Sequence, residues 1–417
     1  MRKTIAFITG CLILSGYAFA GSFQLWQQSA SQIGDDGAGT AASANDATTA
    51  YYNPAGLTRI KHQDMAISLL GAITNIKFKG QLNTSPAITG FNNSGTAQGG
   101  ESNFIPTLLY AAPLSDQWAF GFSIASPFNN YTNYSQNNFT RYTLTENTIK
   151  TTDISPSFAY RPFNPISIGI GADVERFQME YNRVDTTTST VNDSLVTNKL
   201  DDWAYGWNAG MLWEISNNTR IGASYHAKIT YHIVGNSRFS GTGTNSTRAT
   251  SDVYLPPLTI FSVYHDFNTH FTMMSTISYT QWAKLGALTL NNVAGISSPT
   301  TITLQDEMQN AWRFVLGAHY QFAQHFKLRG AIGYDQSPTN DKTRDIFIPD
   351  ANQYILALGL GYEINQTFSL DLGYSHAFTQ HASVNHTQTY GATTITDTGN
   401  LQQNTDMIGL QLNWLMT

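Results

Sequence analysis

The chain has 417 residues, with 22 lysines and arginines against 28 aspartates and glutamates (formal net charge −6), one cysteine, and equal 12% shares of charged and aromatic residues. The acidic balance excludes a nucleic-acid partner, whose phosphates demand a basic face. A slightly negative mean hydropathy, with no apolar run of about eighteen residues after the start of the chain, excludes a helical membrane protein and leaves a large soluble all-β protein or an outer-membrane β-barrel.

Arg2 and Lys3, the apolar run from Ile5 to Leu14 and the triplet Ala18-Phe19-Ala20 read as a cleaved secretory signal over residues 1–20. A lipoprotein box at Ile8-Thr9-Gly10-Cys11 is the rival reading, but the apolar stretch before Cys11 is too short for a signal core. Loss of the leader removes Arg2, Lys3 and Cys11, which takes the net charge from −6 to −8 and leaves no thiol chemistry.

Residues 21–62 follow as a segment of small residues and glycines around the rigid turn Asn53-Pro54-Ala55-Gly56. Such a composition builds no core of its own and needs a surrounding wall, so it reads as a plug.

Residues 63–417 supply that wall. Trp118, Phe120, Phe122 and Ile124 alternate with Gln117, Ala119, Gly121 and Ser123, and Ile166, Ile168, Ile170 and Val174 alternate with Ser167, Gly169, Gly171 and Asp173. The same period recurs in Tyr205 to Ile215, Ile221 to Ile233, Trp312 to Phe322, Phe326 to Tyr334, Tyr354 to Ile364, Phe368 to Tyr374 and Ile408 to Trp414. Weaker segments at Met65 to Lys79, Ser102 to Ala112, Asp153 to Arg161, Val253 to His265 and Phe271 to Ala283 bring the total to about fourteen, an even number as bacterial barrels require.

Tight links at Pro113 to Asp116, Pro162 to Pro165, Ser216 to Asn218, Asp266 to Thr269, Ala323 to His325 and Asn365 to Gln366 alternate with long polar ones. The long links are Gly80 to Glu101, Asn129 to Lys150, Asn182 to Asp201, Gly235 to Ser251, Lys284 to Asn310, Gln336 to Asp350 and Gln380 to Gln403. Short turns on one rim and long loops on the other are the pattern of a barrel inserted from the periplasm. The expectation is an all-β protein, a 14-stranded antiparallel transmembrane β-barrel plugged by a small N-terminal hatch, with apolar residues toward lipid and glycine, serine, asparagine and charge toward the lumen. Gly409, Leu412 and Trp414 close the chain in a pattern similar to a barrel-assembly signal, except that Leu415, Met416 and Thr417 follow it.

Catalysis finds little footing in these residues. His226, His232 and His319 fall on lumen positions, and Ser224 lies two residues from His226, but strand neighbours at that spacing sit roughly 6 to 7 Å apart, too far for direct proton transfer. No cysteine remains and no histidine pair sits on a helix, so no metal site is expected. Gly169-Ile170-Gly171 and Gly359-Leu360-Gly361 lack the helix of a phosphate-cradling loop, and the pairs Asp35-Asp36 and Asp306-Glu307 read most simply as solvated turns, with calcium the weaker alternative. No cofactor and no enzymatic activity are expected. Pro127 lacks an N–H, so it either ends a strand at the outer rim or breaks a ladder inside the wall; Pro106 and Pro156 read as bulges without function.

Phe23-Gln24-Leu25, Ser29-Ala30-Ser31, Ile33-Gly34, Asp46-Ala47 and Asn53-Pro54-Ala55-Gly56-Leu57 together resemble the hatch of the FadL family, outer-membrane transporters of long-chain fatty acids and related hydrophobic compounds. Pro106 to Tyr110 with Pro113 to Trp118, Tyr205 to Gly210, Trp282 and Leu328 to Pro338 extend the resemblance over the whole mature chain. It implies a monomeric barrel in the Gram-negative outer membrane, inserted by the assembly machinery and embedded in outer-membrane lipid and lipopolysaccharide. Ligand would bind in the lumen and leave sideways through a gap between the second and third strands. The matching positions are Ser126, Pro127, Phe128 and Asn129 on a kink and Asn103 opposite, with Asn53, Pro54 and Ala55 as a gate lying against Ser126-Pro127. The cargo is a long-chain fatty acid or, in another branch of the family, an aromatic hydrocarbon.

For a fatty-acid head group the inward or loop-borne cations are Arg176, Arg141, Arg313 and Lys228, with Arg176 first by resemblance and an ion pair to Asp173 or Glu175 as its alternative. Phe23, Leu25 and Trp26 either reach the pocket or pack the hatch. Gln353 follows Pro349-Asp350 where the family often has arginine, which weakens the argument for a carboxylate ligand. Phe128, Tyr131, Tyr134, Phe139 and Tyr142 form either an outer greasy dock or an aromatic girdle.

Overall fold

The computed structural model describes residues 23–186, 193–296, 299–305 and 308–416, so the expected signal over residues 1–20 and the Asp306-Glu307 pair lie outside the described residues. The barrel strands are β1 (Gln63–Ser85), β2 (Ser102–Pro113), β3 (Trp118–Ala125), β4 (Glu146–Phe163), β5 (Ile166–Thr186), β6 (Asp193–Glu214) and β7 (Thr219–His226). They continue as β8 (Leu258–Asp266), β9 (Phe271–Thr280), β10 (Ala311–Ala323), β11 (Phe326–Asp335), β12 (Gln353–Glu363), β13 (Phe368–Thr379) and β14 (Thr393–Met416). Each pairs antiparallel with the next, and β1 meets β14 from Gln63↔Met416 to Ser85↔Thr394, closing a 14-stranded barrel. The β1–β14 seam removes the two terminal edges of the sheet, which matters because an unpaired backbone group in lipid costs several kcal/mol.

The alternation has the expected sense through the membrane. Ile67, Leu69 and Ile73 of β1, Ile168 and Ile170 of β5, and Trp203, Tyr205 and Trp207 of β6 are exposed on the outer face, while Ser167 and Asp173 point inward and are buried. Above that band the phase inverts. On β1 the apolar residues become Ile76, Phe78 and Leu82, buried inside, while Lys77 and Lys79 take the outer face. β5 changes likewise from outward Ile170 to inward Phe177, Met179 and Tyr181, and β6 carries inward Val196 and Leu200.

This inversion overturns part of the loop reading. Strands Ser94–Gln98, Ile229–Phe239, Ser246–Leu255, Leu288–Val293, Thr300–Gln305 and Ala382–Tyr390 occupy the links expected to be irregular and continue the wall beyond the membrane. Outside lipid a sheet buries its apolar face inward and wets its polar face, the reverse of the membrane rule. The segments Ile221 to Ile233 and Val253 to His265 are each broken as well. Pro256 and Pro257 have no N–H to donate, so the ladder stops between Leu255 and Leu258 and opposite it between His226 and Ile229.

The N-terminal segment lies inside this wall. Its elements are α1 (Ala30–Asp35), capped by Ser29 Oγ accepting from Gln32 N, α2 (Thr49–Tyr52) and a 3₁₀ turn (Pro54–Arg59). Ile33, Ala42, Ala50, Ala55 and Leu57 are fully buried against the lumen wall rather than against a core of their own. Wall glycines make the seats. A Cβ on Gly359 would lie 2.8 Å from Gly34 Cα, and one on Gly222 would lie 1.8 Å from the Ala41 carbonyl oxygen. Polar contacts add register: Asp35 shares a 2.8 Å hydrogen bond with His319, Asp36 pairs with Arg313 at 2.6 Å, and Arg59 pairs with Glu214, which also holds Arg161.

Candidate functional site

The β2–β3 ladder runs from Pro113↔Ala119 to Leu108↔Ile124 and stops. Above it, Ser102 to Thr107 of β2 pair only with β1. On the other side the chain does not leave the wall at Pro127. Pairing with β4 lapses after Ala125↔Asp153 and resumes at Asn129↔Lys150, in the short strand Asn129–Asn133. Between those points Ser126 Oγ donates to Thr151 O at 2.8 Å and Phe128 N donates to Thr151 Oγ1 at 3.0 Å, so the kink stays tied to β4 and turns away from β2. The result is a break in the barrel wall between β2 and the kink.

On the kink side of the break the freed backbone groups bond to the hatch. Leu25 N donates to Pro127 O and Asn129 N donates to Phe23 O, both at 2.8 Å, which makes Phe23 to Leu25 a miniature strand on the kink. Gln28, fully buried, fills the remaining space. Its Nε2 donates to Leu25 O at 2.8 Å and Ser126 O at 3.1 Å, and its Oε1 accepts from Ser126 N at 2.9 Å. Its carbonyl accepts from Thr107 Oγ1 of β2 at 2.7 Å, and its N–H donates to Tyr52 Oη at 2.8 Å. One side chain therefore spans from the kink to the hatch while its backbone reaches the opposite lip. Asn103 Nδ2 donates to Asn129 Oδ1 at 2.6 Å across the same break.

Asn53-Pro54-Ala55 lies elsewhere, a correction to the expected contact with Ser126-Pro127. Asn53 Nδ2 donates to Ala41 O at 2.6 Å and to Met211 O at 3.0 Å, and its Oδ1 caps Ala55 N. Pro54 and Ala55 rest on Gly169, and Asn53 rests on Gly210. The motif anchors the hatch to β5 and β6; Phe23 to Gln28 meet the kink. A compact turn needs a wall without side chains, and Gly169 and Gly210 provide one where the kink does not.

Behind the break lies a cavity of ≈120 Å³ bordered by Leu25, Trp26, Asn103, Ile105, Arg313 and Met407. Arg313, on β10, points inward and is itself held: it bonds Asp36 at 2.6 Å, lies 3.7 Å from Asp335 and stacks 4.8 Å under the Trp26 ring. Trp26 Nε1 donates to Asp335 at 2.8 Å, and Gln27 Nε2 donates to Asp36 at 2.6 Å. Burial raises the Asp36 carboxyl above the usual carboxylate range, and the pull of Arg313 offsets this only in part. Phe23, Phe128 and Trp282 form an aromatic triad with ring centroids 5.2 to 6.0 Å apart.

The other expected cations do not face this cavity. Arg176 has the same parity as Ile170 and Val174, sits on the outer wall and pairs with Asp201 at 2.8 Å, so neither the head-group role nor a pair with Asp173 or Glu175 fits its position. Arg141 is buried in the 3₁₀ turn Phe139–Tyr142 of an outer loop, bonded to Asp193 at 2.8 Å and stacked on Tyr142 and Phe91. Lys228 lies over the Tyr254 ring at the strand break. His232 is exposed and paired with Asp252, His226 packs on Tyr51 of the hatch, and the Ser224 hydroxyl has no hydrogen-bond partner among the described residues, so no nucleophile–base pair forms. Gln28 was missing from the sequence reading because no local pattern marks a glutamine whose partners lie on other strands; Arg313 was legible, since it alternates with outward Trp312 and Phe314.

Comparison with known proteins agrees with this geometry. The family model described as outer membrane protein transport protein (OMPP1/FadL/TodX) matches residues 11–415. A long-chain fatty acid transport protein of Escherichia coli O6:H1 is 26% identical over 87% of this chain and 88% of its own length. Outer membrane protein P1 of Haemophilus influenzae is 25% identical over 97% of each chain. Among solved structures, a Pseudomonas aeruginosa FadL homologue superposes with a TM-score of 0.86 at 21% identity, covering 95% of this chain and 100% of that one. The Ralstonia pickettii toluene transporter TbuX gives 0.69 at 16% identity, covering 94% and 100%.

Proposed function

Because the chain belongs to the outer-membrane protein transport family described as OMPP1/FadL/TodX, we propose that it takes up long-chain fatty acids by hatch-gated lateral diffusion through the wall. The observation that carries this reading is the break between β2 and the kink at Ser126 to Asn129, whose open backbone groups are bonded by Phe23 to Gln28 instead of a neighbouring strand. A plug that supplies a wall's missing hydrogen bonds closes it in one position and opens it in another.

The cavity volume sets the order of events. At ≈120 Å³ it is smaller than the roughly 150 Å³ hole that accepts one benzene, so a long acyl chain fits only after Phe23 to Trp26 move. That movement removes the bonds across Pro127 and Asn129, which couples loading to opening. Transfer of the tail from water contributes about 0.8 kcal/mol per methylene, enough over a long chain to offset the lost hatch contacts. Arg313 then faces the carboxylate, and the aromatic triad faces the tail.

A second reading, uptake of neutral aromatic hydrocarbons, is favoured by one observation: Arg313 is already neutralised by Asp36 and Asp335. Uptake of radiolabelled oleate and toluene by a deletion strain, with and without the gene, separates the two. Oleate uptake restored by the gene supports the first, restoration of toluene alone supports the second, and undiminished uptake of both in the deletion strain removes both.

A further inference from the structure

We propose that the outer face of β1 above the lipid band is a binding site for the phosphate groups of an outer-leaflet glycolipid, with Lys77 and Lys79 as its cations. The inference rests on outer-membrane placement and not on the identity of the cargo.

The phase inversion on β1 fixes the level of this face. Ile67, Leu69 and Ile73 are the exposed apolar residues, and outward positions beyond them are Asn75, Lys77, Lys79 and Gln81. Lys77 is four residues past Ile73, about 13 Å along the strand and roughly 10 Å above the apolar band once strand tilt is included. That is headgroup height, not the open aqueous loop.

The surroundings suit phosphate. Lys77 pairs in register with Gln98 and Gln402, and Lys79 with Thr96 and Asn400, so every direct cross-strand neighbour is a neutral hydrogen-bonding side chain. The two ammonium groups stem from alternate residues of one strand face, about 6 to 7 Å apart at the backbone. Neither has an ion-pair partner among the described residues. The outward carboxylate nearest on β14, Asp406, lies opposite Ile73 and is already bonded to His376 Nδ1 and Tyr374 Oη, both at 2.7 Å. Across the barrel the contrast is direct: Lys199 and Arg176 stand at a similar level but pair with Glu180 and Asp201. A locally basic patch on a chain of net charge −6 attracts anionic lipid, and cations paired as Lys199 and Arg176 are do so less.

The test is native mass spectrometry of the detergent-solubilised full chain titrated with bisphosphorylated lipid A, dephosphorylated lipid A and phosphatidylethanolamine. Bisphosphorylated lipid A is expected to bind in a salt-sensitive manner, and Lys77→Gln/Lys79→Gln to weaken it about 30-fold. Arg176→Gln/Lys199→Gln, at cations already paired to Asp201 and Glu180, should leave it within about twofold, and heat-modifiable migration on gels reports that each variant is folded. No phosphate-dependent binding to the native chain, unchanged binding by the Lys77/Lys79 variant, or an equal loss in the Arg176/Lys199 variant each overturns the proposal.

Discussion

Replacing Gln28 by alanine should loosen the closed wall without touching the barrel. The substitution deletes three buried hydrogen bonds, two to Ser126 and one to Leu25 O, and leaves the Ser126 backbone N–H short of its partner. A buried bond contributes about 1 kcal/mol net, and an orphaned buried donor costs about 1–3 kcal/mol. The closed state is thus expected to lose about 2–3 kcal/mol relative to the open one, raising the open population about 30- to 150-fold. Cys11 is the one cysteine of the sequence, so Leu25→Cys in a Cys11→Ser background reports opening by its maleimide labelling rate in isolated outer membranes. Under conditions where closing outpaces labelling, that rate follows the open population. Labelling that changes less than threefold in Gln28→Ala, with an unchanged barrel melting temperature, would refute the assignment of Gln28 as the latch.

Two further outcomes follow from the seats of the hatch. Arg313→Met leaves Asp36 and Asp335 buried without a cation, and breaking such a pair costs about 3–5 kcal/mol; limited proteolysis should cut within residues 23–62 in this variant while the barrel stays intact. Gly222→Val places atoms where the Ala41 carbonyl lies, since even a Cβ would come within 1.8 Å, so the hatch should unseat and single-channel conductance in planar bilayers should rise from near zero. A barrel that conducts no better than the parent would show that the hatch finds another seat.

The barrel was legible because two-residue periodicity states directly which side chains meet lipid, and Trp118 to Ile124 or Ile166 to Val174 allow no other register. Carried on to Arg176, the same rule sets it outside, in phase with Ile170; the inward expectation rested on the resemblance, which was the weaker guide. The wall above the membrane was read only in part because its polarity is reversed: Ile76 and Phe78, inside the expected strand Met65 to Lys79, are already out of phase with Ile67 to Ile73, and Leu82 beyond it fell in an expected loop. Pro127 announced a break, since a missing N–H is a local fact. What closes the break was hidden, because Gln28 and Asn53 are defined by partners far away in sequence, and a turn motif such as Asn53-Pro54-Ala55 gives its own shape but not the glycines it will rest on.

The proposed sideways exit of cargo between β2 and the kink is tested most directly by uptake through a wall that has been stapled shut. Asn103 and Asn129 face each other across the break at 2.6 Å, and an Asn103→Cys/Asn129→Cys pair joined by a short bifunctional maleimide would tie the two lips together. Labelled oleate uptake by cells carrying the stapled protein should fall to the level of the deletion strain, while either single cysteine, treated identically, should retain uptake. Full uptake through the stapled wall would contradict lateral exit and place the route through the hatch instead.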